Sequence, residues 1–361
     1  MWRVAVVGFD HMHAGDQIAV VAADGSTVLT GVWDTDSERM NAVCDDLGVA
    51  ESIRFTDLER LIEVARPQIA VICSPTSEHR RYTEYFAARG VHVLLEKPFA
   101  ANLDDVHAMV AAAQAGGIQL GVNWPLAWYP VHRTAQRLIA GGSIGAVTEV
   151  HYYDGNRGPL FHTHGKRGTD AAAVQATKAS TWWYSAAHGG GSLRDYLGYG
   201  TTLATWFRDG ELPIDVTARV HLADGDEVDE QAVVIASYRN GLSTFHTRWG
   251  TFTDPWTHQP YPRCGFVIVG TDGTIASFDY ADSVQLQTHE HPEGKLVPVD
   301  TLPPREAAGV ANFVHALSTD TPLTGPISWE MSLAGQRIVE AAHSSALHGG
   351  VTVAISEAQQ R

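Results

Sequence analysis

Strand-like and helix-like segments alternate along the first third of the chain, and no other feature limits the possible folds as strongly. The apolar runs are short enough to be buried strands, and a segment with helical character follows most of them. Such strand–helix–strand units form right-handed crossovers between parallel strands. Residues 1–122 are therefore predicted to form an α/β Rossmann domain, with strands at Arg3–Val7, Thr27–Trp33, Ile53–Phe55, Ile69–Cys73, Val91–Leu95 and Gln119–Val122.

The pattern changes in residues 123–361. Strand-like runs such as Val147–Asp154 and Leu242–Trp249 follow one another with few helices between them, and Arg239-Asn240-Gly241 is typical of a tight turn. This pattern predicts an α+β domain with an open, mainly antiparallel sheet that helices cover on one face. Two domains also agree with the length of 361 residues, which exceeds the size at which single cores usually stop growing.

Composition disfavours several classes of partner. The chain has 41 acidic and 25 basic residues, a formal charge of −16, so nucleic acids and anionic membranes are poor partners. Because neither a charged leader nor an apolar stretch of membrane length is recognisable around the first strand, we expect a protein that is not secreted. Cys44, Cys73 and Cys264 are far apart and odd in number, which predicts reduced thiols in a cytoplasmic protein.

The first strand runs into a turn that has the position of a dinucleotide-binding fingerprint but only part of its composition. Gly8 stands where the first glycine is needed, and the helix N-terminus beyond it would meet a pyrophosphate. Asp10 and His13 replace the second and third glycines. We expect these three residues, together with Phe9 and His11, to contact the cofactor.

Two further positions point to a nicotinamide dinucleotide. Asp34 follows the second strand, where a carboxylate accepts hydrogen bonds from ribose hydroxyls and repels a 2′-phosphate. This favours NAD, with NADP as the weaker candidate; the structural alternative is that Asp34 only caps a turn. Ser74-Pro75 ends the fourth strand and is expected to form a rigid loop over the cofactor, with His79 on the helix that follows.

Glu96-Lys97-Pro98 lies at the end of the fifth strand. Ligands of doubly wound sheets bind outside the carboxyl ends of the strands, so Glu96 and Lys97 are expected at the cofactor. Asn123 follows the last Rossmann strand in the same way and is predicted to join them.

A triple glycine in the second part, Gly189-Gly190-Gly191, precedes a helix that carries Asp195 and Tyr199 four residues apart, hence on one face. Together with the motifs of the first domain, it resembles the Gfo/Idh/MocA family of glucose–fructose oxidoreductase, inositol dehydrogenase and rhizopine-catabolism proteins. The resemblance covers nearly the whole chain. It implies NAD(P)-dependent oxidation of a sugar, inositol or related polyol, and a homodimer or homotetramer.

The resemblance also implies that Lys97, Asp195 and Tyr199 are the catalytic residues. Many members have histidine where Tyr199 stands. In this respect the chain resembles the branch with glucose–fructose oxidoreductase, xylose dehydrogenase and dihydrodiol dehydrogenase, in which a tyrosine transfers the proton. Leu197 departs from the glycine usual at its position. Oxidising a carbinol needs a base, and a free tyrosine, with a pKa of about 10, is a poor one. An ammonium group such as that of Lys97 favours the phenolate, while Asp195 can bind a neighbouring hydroxyl.

Candidate substrate contacts follow from aromatic and polar residues around the motifs. Aromatic side chains suit the C–H faces of a sugar ring, although most tryptophans pack cores. The candidates are Trp124, Asn156, Arg157, Lys178 and Trp183.

Two alternatives remain from the residues themselves. His11 and His13 could converge with His162 and His164 on a metal, giving a metal-assisted isomerase or hydrolase, although no metal is the favoured prediction. The incomplete glycine fingerprint instead suggests a nucleotide-binding sensor or scaffold without turnover. The intact catalytic set argues against a sensor.

Overall fold

The computed structural model describes residues 1–355, so residues 356–361 of the predicted second domain lie outside the described part. The chain divides into two compact units. The first unit comprises Met1–Asn123, Leu160–Ala179 and Pro304–Trp329, and the second comprises Trp124–Pro159, Ser180–Pro303 and the described residues from Glu330 onward. The contiguous split predicted after residue 122 did not include the two later segments that return to the first unit.

A parallel six-stranded sheet in the order β3-β2-β1-β4-β5-β6 forms the centre of the first unit, which confirms the predicted Rossmann fold. Its strands are β1 (Trp2–Val7), β2 (Thr27–Trp33), β3 (Arg54–Phe55), β4 (Ile69–Ile72), β5 (His92–Glu96) and β6 (Leu120–Asn123). The helices between them are α1 (His13–Ala23), α2 (Ser37–Asp46), α3 (Leu58–Ala65), α4 (His79–Ala87) and α5 (Leu103–Gly116).

Local sequence explains where these helices begin and end. Asp36 starts α2 because its carboxylate accepts hydrogen bonds from the backbone N–H groups of the first turn, and Asp57 does the same for α3. Gly117 ends α5 in a left-handed conformation, with φ +61°, that favours glycine. All four residues of β4 are buried, as expected for a strand covered by helices on both faces.

The segment Leu160–Ala179 packs on α1. It contains the hairpin of β8 (His162–Thr163) and β9 (Arg167–Gly168), followed by α7 (Ala171–Thr177). The backbone N–H of Gly165 donates to Asp16 at 2.7 Å, and the His164 ring lies where a Cβ on Gly15 would project. The segment therefore belongs to the first unit, although it is distant from α1 in sequence.

Pro304–Trp329 contributes α9 (Gly309–Thr319) to the same unit. Phe313 of this helix is fully buried and faces Gly121 of β6, where a Cβ would come within 3.1 Å of the ring. The missing side chain at Gly121 thus lets α9 close over the edge of the parallel sheet.

The second unit is built on a nine-stranded sheet in the order β16-β15-β14-β13-β7-β12-β11-β10-β17. All neighbouring strands are antiparallel except β7 and β12, which confirms the predicted mainly antiparallel sheet. The strands are β7 (Val147–Asn156), β10 (Asp215–His221), β11 (Gln231–Tyr238), β12 (Gly241–Trp249), β13 (Gly265–Gly270), β14 (Gly273–Phe278), β15 (Ser283–Thr288), β16 (His291–Pro298) and β17 (Val353–Ala354).

Helices α6 (Pro130–Ala140) and α8 (Ser192–Phe207) pack on this sheet, and α10 (Trp329–Leu347) follows near the end of the chain. Tyr152, Phe245 and Phe266 form the aromatic centre of the core between the sheet and α8. Among residues 1–355, no helix is long and apolar enough to cross a membrane.

Candidate functional site

Glu96, at the end of β5, is a buried carboxylate with three side-chain partners. Its carboxylate pairs with His13 Nδ1 at 2.9 Å and accepts hydrogen bonds from Gln17 Nε2 at 3.2 Å and Asn123 Nδ2 at 3.0 Å. Burial raises the pKa of Glu96, but His13 and Lys97 outweigh that effect, so the pKa lies below its ordinary value. Glu96 is therefore an ionised anchor that ties β5 to α1 and β6.

Lys97 follows directly and keeps only 3% of its surface exposed. The loop after it is held by His79, whose Nδ1 lies 3.1 Å from the carbonyl oxygen of Phe99 and which also bonds to the backbone at Ser74 and Pro98. Burial lowers the pKa of His79, so the ring is neutral at physiological pH. His79, predicted to contact the cofactor, thus supports the loop around the lysine.

The turn after β1 passes closely over the end of β4. Gly8 adopts φ +84°, and a Cβ there would lie 2.8 Å from the backbone nitrogen of Ser74. His11 donates its backbone N–H to the carbonyl oxygen of Cys73 at 3.1 Å. The missing side chain at Gly8 lets this turn lie directly against the end of β4, at the position where a Rossmann turn meets a dinucleotide.

His11, His13 and Glu96 form a compact cluster whose possible metal-binding atoms all lie within 4.8 Å of one another. Burial and neighbouring cations hold the pKa of His11 well below its ordinary range, so its imidazole is neutral. His11 Nδ1 accepts the backbone N–H of His13 at 3.1 Å, which places the ring proton on Nε2. A metal bound through this ring would have to displace either the Nε2 proton or the His13 N–H, so the absence of a metal stays a prediction.

The alternative four-histidine metal site needs correction. His164 Nε2 lies 2.7 Å from Asp46 Oδ2, and the pair is joined by Arg167. His162 lies near enough to His11 to affect its pKa. In the described residues, however, the set able to hold a metal joins His11 and His13 to Glu96 rather than to the histidines of the later segment.

Asp34 is buried, with 1% of its surface exposed, and its carboxylate already has several donors. Arg39 binds it with two nitrogens, Nη2 at 2.7 Å and Nε at 3.1 Å, and the backbone N–H groups of Phe9 and Asp36 donate at 2.7 and 2.8 Å. A third nitrogen of Arg39, Nη1, reaches Asp10 at 2.9 Å. Arg39 was not predicted from the sequence.

In the second unit, Asp229 caps the helix that carries the other predicted catalytic residues. Its Oδ2 accepts hydrogen bonds from Ser192 Oγ at 2.6 Å and from the backbone N–H of Leu193 at 2.9 Å. Gly191, with φ +102°, precedes the helix and lies against the Asp229 side chain. These contacts fix the start of α8 directly after the triple glycine.

The Asp229 cap predicts a pH-dependent stability. Burial raises the pKa of this carboxyl from 3.8 to about 6. The pKa of Asp229 is thus higher in the folded chain than in the unfolded chain. The contribution of this carboxyl group to stability is therefore complete below pH of about 4 and is lost as the pH rises through about 6. Relative to Asp229→Asn, the wild-type free energy of unfolding should fall by about 3 kcal/mol over this range. Urea unfolding of both proteins at each pH measures the difference, and a pH-independent difference would contradict the assignment.

Asp195 and Tyr199 lie on α8 with 2% and 6% of their surfaces exposed. The Trp124 ring meets Tyr199 edge-on, with 5.6 Å between ring centroids. Gly198 and Gly200 leave room for the rings of Trp124 and Tyr152 on either side of the tyrosine. Tyr199 is thus held in a fixed orientation by aromatic packing.

The predicted substrate residues lie in different environments. Trp124 is 1% exposed and donates to Ser332 Oγ at 3.0 Å, so it supports Tyr199 and offers no open face to a sugar. Arg157 Nε is paired with Asp254 at 2.8 Å. Trp183 is buried and stacked on Trp182. Asn156 Oδ1 accepts a hydrogen bond from the backbone N–H of Gly158. Lys178 lies in the segment Leu160–Ala179, which belongs to the first unit.

Sequence reasoning missed Gln17 and Arg39 in the first unit and Asp154 in the second. Asp154 is 8% exposed and accepts a hydrogen bond from Tyr152 Oη at 3.0 Å. The alternation of β7 places it on the same strand face as Tyr152 and Asn156, which was the available signal.

Comparison with known proteins supplies the family. Residues 2–124 match the family model described as "Oxidoreductase family, NAD-binding Rossmann fold" of GFO_IDH_MocA, and residues 132–276 match its C-terminal domain model. The chain belongs to the Gfo/Idh/MocA family. The resemblance drawn from the motifs is thereby confirmed, and the first unit is of the NAD-binding Rossmann type.

Two curated relatives are similar over part of this Gfo/Idh/MocA chain. A D-apiose dehydrogenase of Paraburkholderia graminis is 31% identical over 136 residues, which cover 38% of this chain and 34% of the relative. A 1,5-anhydro-D-fructose reductase of Ensifer adhaerens is 38% identical over 130 residues, which cover 36% of this chain and 38% of the relative. The matches thus span little more than a third of either relative.

Solved structures agree in fold over nearly the whole chain. An inositol dehydrogenase homologue from Azotobacter vinelandii complexed with NAD+ superposes with a TM-score of 0.79 at 18% identity, covering 98% of this chain and 97% of that chain. At this identity the likeness shows the fold alone.

Proposed function

We propose that this protein is an NAD(H)-dependent oxidoreductase that oxidises a hydroxyl group of a sugar, an inositol or a related polyol. The observation that carries the proposal is the buried Lys97 at the carboxyl end of β5, in a Rossmann unit of an NAD-binding oxidoreductase family. The curated relatives act on sugars by name, which supports the substrate class. Its homodimer or homotetramer assembly and cytoplasmic location stay predictions.

The residues of the first unit fit a dinucleotide. The turn at Gly8 lies against the end of β4 and leads to the N-terminus of α1, where a pyrophosphate would be stabilised. Ser74 and Pro75 border the turn, and Asn123 and His13 hold Glu96 beside it. NAD, when bound, accepts the hydride that leaves the substrate carbon.

The roles of the chain's own residues follow from what this oxidation requires. Tyr199 removes the hydroxyl proton as the carbon gives up its hydride. The Lys97 ammonium orients the reacting oxygen and stabilises the tyrosine phenolate. Asp195 accepts a hydrogen bond from a neighbouring hydroxyl of the substrate. This division of work is our proposal from motif order and chemistry, and the variants in the Discussion test it.

NAD is expected to bind better than NADP. The carboxylates of Asp34 and Asp10 both pair with the guanidinium of Arg39. These three side chains together carry a net negative charge, which would repel the 2′-phosphate of NADP. We expect the Kd for NADP to exceed that for NAD by at least about tenfold, a difference of about 1.4 kcal/mol. Calorimetric titration of the protein with each nucleotide measures the ratio. Equal affinities for NAD and NADP would contradict this expectation and would show that Arg39 offsets the repulsion of the 2′-phosphate by the two carboxylates.

A screen for NADH formation tests the function. The wild-type protein is mixed with NAD and a panel of aldoses, inositols and linear polyols, with matched reactions lacking either NAD or the polyol. NADH that forms only in the complete reaction supports the proposal. Tight NAD binding without NADH from any member of the panel would favour the sensor or scaffold alternative.

A further inference from the structure

Asp10 stands in the phosphate turn where a Rossmann fingerprint has its second glycine. Its side chain is 23% exposed. Glycine at this position lets the backbone approach a pyrophosphate, whereas a carboxylate there repels phosphate oxygens. A chain that binds a dinucleotide with this turn therefore needs a group that offsets the Asp10 charge.

Arg39 is placed to do so. It projects from the first turn of α2, and its Nη1 lies 2.9 Å from Asp10 Oδ1. Its other nitrogens are held by the buried Asp34 carboxylate, which is itself fixed by the Phe9 and Asp36 N–H groups. The guanidinium is therefore pre-oriented before any ligand arrives, and a planar, always-charged group suits two carboxylates at once.

We propose that Arg39 is a positioning residue for the cofactor: it neutralises Asp10 and draws its carboxylate towards Asp34, so that the altered turn accepts a pyrophosphate. This inference rests on the proposed function, because it assumes that NAD binds at the Gly8 turn. Asp34 would then have two roles: it would bind the ribose, and it would hold Arg39 in the position from which Arg39 neutralises Asp10.

The charged groups around Asp10 make the effect dependent on pH. Burial raises the pKa of Asp10 to about 6, Arg39 lowers it, and Asp34 and Glu78 raise it. Tyr82 of α4 also lies within the field of Asp10, and burial raises the pKa of this phenol, so it stays neutral. Asp10 is thus ionised at pH of about 8 and mostly protonated at pH of about 5.

The experiment is a double-mutant cycle of NAD binding, measured by calorimetry at both pH values. It compares wild type, Arg39→Gln, Asp10→Asn and the double variant, with thermal unfolding as a check of folding. The control is Arg60→Gln, an exposed arginine of α3 that is paired with Glu63. We expect Arg39→Gln to weaken NAD binding at least about tenfold at the higher pH and less at the lower, because Asp10 then loses its charge.

Rescue distinguishes neutralisation from a purely structural role. The double variant should bind NAD within about threefold of wild type, and Asp10→Asn alone at least as tightly as wild type. Arg39→Gln with wild-type affinity, or a double variant as weak as Arg39→Gln, would overturn the inference alone. If Arg39→Gln does not fold, Asp10→Asn decides: a loss of about tenfold would mean that Asp10 itself holds the cofactor. No NAD binding by the wild type would overturn the proposed function together with the inference.

Discussion

Replacement of Lys97 by methionine is expected to lower kcat by about a thousandfold while NAD still binds. The lysine is almost fully buried at the end of β5, and methionine has a similar length without the ammonium group. The loop around it stays supported by His79 and the strand by the contacts of Glu96. The variant therefore removes the charge that we propose acts at the reacting oxygen, and we expect the unit to stay folded.

The measurement is NADH formation at saturating concentrations of the polyol found in the screen, with calorimetry of NAD binding on the same preparation. Lys295→Met, at an exposed position of β16, is the matched control and should keep the wild-type rate. A Lys97→Met protein that retains more than about a tenth of the wild-type kcat would remove Lys97 from the catalytic set.

Replacement of Tyr199 by phenylalanine is expected to lower kcat by about a hundredfold to a thousandfold. The ring keeps its edge-on packing against Trp124, so only the hydroxyl group is lost. The substrate KM should change little if the hydroxyl group serves proton transfer, as proposed, and not binding.

The pH profile of kcat separates this role from a structural one. The wild-type rate should rise with pH as the base ionises, and this rise should disappear in Tyr199→Phe. Tyr153→Phe, which changes a tyrosine next to Tyr152 in sequence and therefore on the opposite face of β7, is the control. If Tyr199→Phe keeps both the rate and the pH dependence, another group is the base.

The sequence was informative where structure depends on local patterns. Buried strands such as β4, the Asp57 cap of α3 and the turn at Gly8 follow from residue types within a few positions of one another. Glu96-Lys97-Pro98 marks a strand end in the same local way. These features were sufficient to predict the Rossmann sheet, and the strand runs joined by turns such as Arg239-Asn240-Gly241 predicted the mainly antiparallel sheet.

Contacts between distant segments were not accessible to the same reasoning. His164 meets Asp46 across 118 positions, and no periodicity signals that Leu160–Ala179 returns to the first unit. Arg39 resembles any exposed arginine of an amphipathic helix until β2 and the Gly8 turn bring Asp34 and Asp10 to it. The sequence offers Trp124 as a candidate substrate contact and does not indicate its burial, because burial cannot be read from residue type alone.

Calorimetric titration of the metal-stripped wild-type protein with NAD tests the central claim most directly. We expect one NAD per chain with a Kd in the micromolar to submillimolar range, without added metal. Absence of binding, or binding that appears only after zinc or manganese is added, would contradict the claim that the Gly8 turn and the Glu96–Lys97 end of β5 form a metal-independent dinucleotide site.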